Sequence, residues 1–397
     1  MRARRLLGLL AAAALLGACG GSSPSSPDGG DGGVNNVQPI QVSFGPADNL
    51  VNGLYTSVTI CVPGTSNCQT IDGVEVDTGS VGLRLLASRV TLGLPRMTDA
   101  SGNALANCAS YVDNSYTWGP MATADIRLAG EQASAVPIQL IGATAFAGAP
   151  DDCSRGGTAA DTVSALSANG ILGLAAFRQD CGTACASGRV QPVYFSCPAG
   201  SACTAAAVPL TSQLQNPVWL FPQDNNGMLV SLPAIPAAGA PTASGSLIFG
   251  VGTQSNNALG GARVYTTDDV GNFSTIFQGT TYSSSYLDTG SNGIYFQDSH
   301  TISLPACPGH DSDFSCPPAT VGLTATTIGH NGTSASVSFS VANADALFQS
   351  NNAAFNDLGG PDTGDFDWGL PFFFGRPTFI GIEGQTSPGG TGPYWAY

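Results

Sequence analysis

Short stretches in which hydrophobic and polar residues alternate recur along most of the chain, separated by turn-forming residues. The clearest lie at residues 55–62, 122–130, 136–142, 245–252 and 334–342. Alternation with a period of two is typical of half-buried β-strands. Amphipathic helical stretches are few and short, and the best candidates are residues 161–169 and 343–350. The pattern predicts an all-β barrel or sandwich with minor helices.

The amino-terminal segment differs in composition and predicts export followed by a tether. Three arginines precede an apolar stretch of about eleven residues, which is typical of a secretory signal and too short to span a bilayer. Residues 16–19, Leu-Gly-Ala-Cys, resemble the lipobox of bacterial lipoproteins, which implies a signal peptide at 1–18 and lipidation of Cys19. Ordinary cleavage near Ala18 is the alternative. Residues 19–40 are rich in Gly, Ser and Pro and predict a flexible tether.

A lipid on Cys19 would anchor the protein in a bacterial cell envelope. The residue after it is Gly20 rather than Asp, and the resemblance to lipoproteins then implies the outer membrane, with the protein facing the periplasm or the cell surface. The membrane would be a partner only through this lipid anchor.

Composition restricts the possible partners. The 397 residues are 43% hydrophobic and 10% charged, which is enough for one large or two medium cores. The formal charge is −15, and this excess of negative charge argues against a nucleic-acid partner. The sequence contains no G-x-S-x-G nucleophile elbow, Walker loop or dinucleotide-binding glycine motif. We therefore expect no cofactor and no metal.

Ten cysteines remain after Cys19, and an even number indicates disulfides formed in an oxidising compartment. They are Cys61, Cys68, Cys108, Cys153, Cys181, Cys185, Cys197, Cys203, Cys307 and Cys316. The short spacings favour bridges 61–68 and 307–316 and leave 108–153 as a plausible longer bridge. Pairing within 181–203 stays open, and a zinc site there is disfavoured because the usual two-residue spacing and a nearby His are missing.

Two acids interrupt apolar runs in the same way. Residues 74–86 and 284–296 each contain Asp-Thr-Gly-Ser with an apolar approach and an apolar exit. A chain of this length contains this tetrapeptide by chance in roughly one case in a hundred, so two copies with matching flanks indicate a shared role. A third Asp-Thr-Gly, at residues 362–364, is flanked by Gly, Pro and acids and predicts a surface turn.

Each full motif predicts a tight loop that holds a carboxylate at the end of a buried strand. If the two loops face each other, Asp77 and Asp288 cannot both be ionised comfortably, so one keeps a proton. An acid and a base would then share a water molecule, as hydrolysis of a carbonyl compound requires. The glycines would allow close backbone approach and the hydroxyls would orient the carboxylates. The supporting residues are Thr78, Gly79, Ser80, Thr289, Gly290 and Ser291.

With these loops the sequence resembles the pepsin-like aspartic peptidases, in which each of two all-β lobes contributes one Asp-Thr-Gly loop. The similarity covers most of residues 41–397. The matching segments are residues 55–64, 116–130, 168–177, 244–253 and 366–384. The resemblance implies a bilobal double β-barrel with a few short helices, an N-terminal lobe at 41–215, a C-terminal lobe at 216–397 and an active-site cleft between them.

The resemblance also assigns roles to single residues. Tyr116 takes the position of the flap tyrosine that closes over substrate, and Gly119 is placed at the turn of the flap. Gly173 and Gly369 take the places of the two glycines that lie behind the acids.

The sequence departs from this family at three places, one of which is a flap hairpin that is shorter than usual. Arg84 stands where a tryptophan often supports the flap tyrosine, and Asp367 and Trp368 stand where two aliphatic residues are usual. A narrower resemblance is to a bacterial lipoprotein family catalogued as a domain of unknown function, in which the same landmarks occur.

The resemblance implies an aspartic endopeptidase that acts, as a monomer, on extended peptide or protein segments. The alternative is a weakly active or inactive envelope protein of the same fold that binds peptides or glycans, and Arg84 and the altered flap favour it. We expect solvated or structural roles for His300, His310 and His330. The acids Asp362, Asp365 and Asp367 are interpreted as a solvated loop in preference to a calcium site.

Overall fold

The computed structural model describes residues 35–144, 146–188, 192–296, 304–362 and 364–397. Strands dominate, and the four α-helices within these ranges have four or five residues each. The helices are α1 (Asp151–Ser154), α2 (Val163–Leu166), α3 (Gly182–Ala186) and α4 (Ala344–Phe348). The predictions of an all-β fold and of short helices near residues 161–169 and 343–350 are confirmed.

The strands divide into two sets in chain order. The first set is β1 (Val37–Ser43), β2 (Gly53–Cys61), β3 (Cys68–Asp77), β4 (Val81–Leu86), β5 (Ala104–Ser110), β6 (Ser115–Leu128), β7 (Glu131–Ile141), β8 (Thr158–Ala159), β9 (Gly170–Leu174), β10 (Tyr194–Cys197) and β11 (Thr204–Ala205). The second set is β12 (Gly227–Ser231), β13 (Ala243–Phe249), β14 (Val264–Thr266), β15 (Phe273–Phe277), β16 (Thr280–Leu287), β17 (Ile294–Phe296), β18 (Val321–Ile328), β19 (Ser334–Val341), β20 (Gly359–Pro361), β21 (Phe366–Trp368), β22 (Thr378–Gly381), β23 (Thr386–Ser387), β24 (Gly390–Thr391) and β25 (Tyr394–Ala396).

Six strands of the first set form a closed ring of pairings, in the order β2-β3-β9-β4-β7-β6 and back to β2. Closure removes exposed sheet edges. We call this barrel, with the β5–β6 hairpin that extends from it, lobe 1. Its buried side chains are mostly aliphatic, as in Val58, Ile60, Leu83 and Leu172.

Seven strands of the second set form lobe 2, in the order β19-β18-β15-β16-β21-β17-β20. Its core is aromatic. Phe366 stacks on Phe296 with ring centroids 5.1 Å apart, and Trp368 lies 4.5 Å from Phe366. The Trp368 indole donates a hydrogen bond to Thr275 Oγ1 at 3.0 Å, so its single polar atom is satisfied inside the core.

A central sheet connects the lobes, in the order β1-β13-β12-β22-β25-β14. It contains the first strand of the chain, and Val37 pairs with Ile248 in β13. Residues 37–40 therefore belong to a strand, so the predicted tether extends too far at its carboxyl end. The predicted lobe boundary at residues 215 and 216 falls between β11 and β12.

Both lobes use the same strand arrangement around the predicted acids. In lobe 1, β3 runs parallel to β9, and β9 runs antiparallel to β4. In lobe 2, β16 runs parallel to β21, and β21 runs antiparallel to β17. In each case the first strand ends at an Asp-Thr-Gly-Ser motif and the third strand follows it.

The described part of the chain contains five disulfides, and three of them are the predicted pairs 61–68, 108–153 and 307–316. The four cysteines left open pair as Cys181–Cys185 and Cys197–Cys203, which commits their sulfurs to disulfides. Within the described residues, no helix is both long and apolar enough to cross a membrane.

Candidate active site

The first motif forms a turn that holds the Asp77 carboxylate by its own backbone. Strand β3 ends at Asp77, and Oδ1 accepts hydrogen bonds from the backbone N–H of Gly79 at 2.7 Å and of Ser80 at 3.2 Å. The Ser80 hydroxyl donates to Oδ2. Three donors therefore face this carboxylate and hold it in one orientation.

The second motif repeats this turn after β16. Asp288 Oδ1 accepts a hydrogen bond from the Gly290 backbone N–H at 2.8 Å, and the Ser291 hydroxyl donates to Oδ2 at 3.0 Å. Four of the six supporting residues predicted from sequence thus donate hydrogen bonds to the carboxylate of their own loop, namely Gly79, Ser80, Gly290 and Ser291. One donor fewer acts on Asp288 than on Asp77.

Two threonines join the loops through reciprocal hydrogen bonds. The Thr78 N–H donates to Thr289 Oγ1 at 3.1 Å, and the Thr289 N–H donates to Thr78 Oγ1 at 3.0 Å. Each hydroxyl then donates across to the other lobe, Thr78 to the Leu287 carbonyl at 3.1 Å and Thr289 to the Val76 carbonyl at 2.6 Å. Both threonines are only 1% exposed, so four buried hydrogen bonds fix the position of one loop against the other.

The glycines of the motifs allow the two carboxyl groups to meet. A Cβ atom on Gly79 would lie 2.7 Å from Asp288 Cγ, and one on Gly290 would lie 2.9 Å from Asp77 Oδ1. Neither space could hold a methyl group without displacing the opposing acid. Each carboxyl group therefore occupies the place that a side chain on the opposite glycine would take.

The electrostatics of the pair favour one shared proton. Burial, the charge of Asp77 and the hydrogen bond between the two side chains raise the pKa of Asp288 to about 8. Two close carboxylates in a poorly solvated site cannot both be ionised at low cost. The raised pKa of Asp288 favours the proton on that residue.

The glycines predicted behind the acids lie there. Gly173 pairs with Asp77 across β3 and β9, and a Cβ on it would lie 2.7 Å from the Val81 backbone. A Cβ on Gly369 would lie 2.0 Å from the Gly293 carbonyl oxygen. Close backbone approach explains glycine at both positions.

The flap differs from the sequence-based expectation. The β5–β6 hairpin turns at residues 111–114, where the Tyr111 N–H donates to the Ser115 carbonyl at 2.9 Å. Gly119 pairs with Asn107 inside the hairpin, so its prediction as a turn residue is wrong. A Cβ on it would lie 1.9 Å from the Leu140 carbonyl oxygen, which shows that this glycine serves close contact between strands.

Tyr111, which the sequence reasoning missed, occupies the tip of this hairpin. Burial raises the pKa of its hydroxyl, the positive charge of Arg84 lowers it, and the charges of Asp77 and Glu75 raise it. The hydroxyl therefore lies within the field of the acids. The predicted Tyr116 pairs with Ser110 and packs on the cluster around Trp118, away from the tip. The turn residues Val-Asp-Asn that follow Tyr111 were the available signal.

Arg84 lies in a buried polar network beneath the flap. Its guanidinium lies 3.6 Å from Asp180 Oδ2, with the side chains 3% and 5% exposed, and it donates to the Val81 carbonyl at 2.8 Å. Asp180 accepts from the Tyr194 hydroxyl at 2.5 Å and from the Asn107 amide at 3.3 Å. Burial nevertheless raises the pKa of Asp180 to about 6.

Two further carboxyl groups flank the dyad. Glu75 precedes Asp77 by two residues, so it lies on the same face of β3. Burial, then Asp77, then Asp288 raise its pKa. Asp367 is 3% exposed, and burial followed by the charge of Asp288 raises its pKa. Asp362, by contrast, lies in the loop and accepts hydrogen bonds from the Gly364 and Asp365 backbones. Asp367 is buried, so it does not belong to the predicted solvated loop.

Strand register defines two matching sets of side chains. Glu75 pairs with Ile171 and Ile171 pairs with Arg84, and we call these three the lobe-1 wall. Tyr286 pairs with Asp367 and Asp367 pairs with Tyr295, and we call these three the lobe-2 wall.

Some predicted residues lie elsewhere. Cys19 and His300 fall outside the described residues, and only the backbone of His310 is described, in a short 3₁₀ helix. His330 is exposed in the turn between β18 and β19.

Comparison with known proteins gives one family and a distant structural neighbour. The family model described as "Protein of unknown function (DUF3443)" matches residues 32–397. An aspartic proteinase from Irpex lacteus is similar in structure, with a TM-score of 0.49 and 15% sequence identity, over 91% of this chain and 96% of that chain. No curated protein matches the sequence.

Proposed function

We propose that the chain, which belongs to the DUF3443 family, is an aspartic endopeptidase that hydrolyses peptide bonds with water activated by Asp77 and Asp288. One observation carries this proposal. Two Asp-Thr-Gly-Ser loops face each other, are joined by reciprocal threonine hydrogen bonds and bring together two carboxyl groups that favour a single shared proton.

In this proposal Asp77 is the base and Asp288 the acid. The ionised Asp77 takes a proton from water while the water oxygen bonds to the carbonyl carbon, and Asp288 gives its proton to the carbonyl oxygen. When the C–N bond breaks, Asp77 returns a proton to the nitrogen and Asp288 recovers one from a hydroxyl of the intermediate. The dyad ends with one proton, as it began, and no covalent adduct forms.

The surrounding residues would position the dyad and the substrate. The Ser80 and Ser291 hydroxyls donate to the outer carboxylate oxygens and hold them in place. Tyr111 at the hairpin tip would cover a bound peptide. The role first assigned to Tyr116 stays a prediction, because its place inside the hairpin gives it no contact with the acids.

We further propose that lipidation at Cys19 anchors a monomeric enzyme in a bacterial cell envelope, at the outer membrane and facing the periplasm or the surface. The motif at residues 16–19 and the polar segment after it support this placement. Metabolic labelling with a fatty-acid analogue, compared between the full chain and Cys19→Ser, tests it. Equal labelling of both would contradict it.

The activity is tested with a soluble form, residues 20–397, and a diverse peptide library from about pH 3 to 7. We expect cleavage that a statine-type inhibitor blocks and that Asp77→Asn and Asp288→Asn each reduce by at least about a thousandfold, since each removes one half of the acid–base pair. Asp72→Asn is the matched control, because Asp72 is an exposed acid on the same strand.

The result that would overturn the proposal is the absence of cleavage by protein that is folded and oxidised. If such protein still binds the peptides, and if Asp77→Asn leaves that binding intact, the chain is a peptide-binding envelope protein.

A further inference from the structure

The two carboxyl groups outside the dyad have fewer partners than buried acids usually have, since within the described ranges Asp367 receives a side-chain hydrogen bond only from Ser291. Among the described residues, none forms a hydrogen bond or ion pair with the Glu75 carboxylate, which is half-buried. Asp367 Oδ1 is buried without a hydrogen-bond partner in the same part of the structure. A buried carboxylate oxygen without a hydrogen-bond partner is costly, so Asp367 Oδ1 calls for a ligand group that supplies the missing partner.

The two acids lie on opposite sides of the dyad. Glu75 belongs to lobe 1, on the face of β3 that carries Asp77, and it acts on the Tyr111 hydroxyl at the flap tip. Asp367 belongs to lobe 2 and lies on β21 beside β16, the strand that delivers Asp288. Each lobe thus adds one carboxyl group to its own side of the reaction centre.

The nearby cation does not neutralise them. Arg84 belongs to the lobe-1 wall, but its guanidinium pairs with Asp180 and its Nη1 donates to a backbone carbonyl. With Asp77 and Asp288, four carboxyl groups therefore converge, and the arginine of this region already has an acidic partner. A positively charged ligand group would relieve this excess.

An extended peptide supplies such groups in the right places. Successive side chains of an extended chain point to opposite sides. When a peptide bond lies at the dyad, the side chain before it faces one lobe and the side chain after it faces the other. A lysine or arginine at each position could therefore reach one of the two acids.

We propose that Glu75 and Asp367 form two acidic pockets that select peptides with lysine or arginine on both sides of the cleaved bond. This inference rests on the proposed function, since it names the substrate class of the same site. The lobe-2 pocket is completed by Tyr286 and Tyr295, whose rings flank Asp367 in the sheet. Aromatic faces also attract cations.

The test uses four short fluorogenic peptides that differ only at the two central residues: Lys-Lys, Lys-norleucine, norleucine-Lys and norleucine-norleucine. Norleucine keeps the length of lysine and removes its charge. We expect kcat/KM for Lys-Lys to exceed that for norleucine-norleucine by at least about a hundredfold, or about tenfold for each charge pair.

Glu75→Gln should abolish the lysine preference at one central position and keep it at the other. Asp367→Asn should do the same with the two positions exchanged. Asp72→Asn again serves as the control and should keep both preferences. If Asp367→Asn, which changes a buried residue, fails to fold, Glu75→Gln still tests the proposal because Glu75 is only half-buried.

Binding of the same peptides, measured by fluorescence anisotropy on wild type and on Asp77→Asn, separates the two proposals. Cleavage without a lysine preference overturns the acidic pockets and leaves the peptidase standing. Preferential binding of Lys-Lys that Glu75→Gln reduces, by removing the preference at one of the two positions, supports the pockets, and it overturns the peptidase if no cleavage occurs. Equal binding of all four peptides overturns the pockets whether or not cleavage occurs.

Discussion

The lobe-1 and lobe-2 walls occupy equivalent positions in the two lobes but carry different kinds of side chain. Each wall consists of three residues defined by their distance along the sequence from the site. They are the residue two positions before Asp77 or Asp288, the residue two positions before Gly173 or Gly369, and the residue seven positions after the same Asp. In lobe 1 these are Glu75, Ile171 and Arg84, so the central residue is apolar. In lobe 2 the central residue is Asp367, with a tyrosine on each side.

The backbone and the motif loops are nearly symmetric, whereas the walls are not. The reciprocal threonine bonds need both lobes to present the same turn, because each turn satisfies the donors of the other. No such constraint acts on side chains farther along the strands. In the proposed function, the shared chemistry belongs to the symmetric loops and discrimination between substrates belongs to the walls.

The largest expected effect is on stability, through the buried cation of lobe 1. Arg84→Met leaves Asp180 buried without its charge partner, and we expect the free energy of unfolding to fall by about 3–5 kcal/mol. The equivalent change in lobe 2, Tyr295→Phe, removes one hydrogen bond to Asn292 and should cost about 1 kcal/mol. Denaturant unfolding measures both.

The double variant Arg84→Met, Asp180→Leu is the control for this difference. Because it removes both charges, its free energy of unfolding should fall by clearly less than the sum of the losses of Arg84→Met alone and Asp180→Leu alone. Additive losses would mean that the pair at 3.6 Å contributes nothing as a pair.

The second prediction tests the symmetry of the loops. Thr78→Val and Thr289→Val each remove two buried hydrogen bonds and leave their partners unsatisfied. We expect each variant to lose about 2–3 kcal/mol of stability, with the two losses equal within error. A loss of stability in only one variant would contradict the prediction, because it would show that the hydrogen bonds of one threonine hydroxyl contribute and those of the other do not.

The third prediction concerns the pH dependence of stability and tests the buried acid of the lobe-2 wall. Burial and Asp288 raise the pKa of Asp367, so above the unfolded value near 4 the native state retains a proton that the unfolded state has lost. Stability then falls as pH rises, by up to about 1.4 kcal/mol per pH unit, until the raised native pKa is passed. Asp367→Asn should flatten this fall. Unfolding curves between pH 4 and 8 that keep the same slope would contradict the assignment.

Local sequence was sufficient for the motif loops and for the disulfides of clear spacing, because a turn and a short bridge depend on neighbouring residues. The convergence of Glu75 and Asp367 on the dyad depends on strand register. The Arg84–Asp180 contact joins residues far apart in sequence, and no local pattern indicated it. Gly119 was misplaced because a glycine required by close strand packing has the same sequence signature as one in a turn.

The smallest effect that we predict distinguishes the two tyrosines of the hairpin. Tyr111→Phe removes the hydroxyl that lies in the field of Arg84 and Asp77, so we expect kcat/KM to fall about tenfold, the worth of one hydrogen bond made near the substrate. Tyr116→Phe is the matched control, with the same atom removed five residues along the same hairpin, and should change kcat/KM less than twofold. Because the charge of Arg84 acts on the Tyr111 hydroxyl, Tyr111→Phe should have little further effect in an Arg84→Met background. A larger loss from Tyr116→Phe would return the covering role to the residue that the family resemblance first suggested.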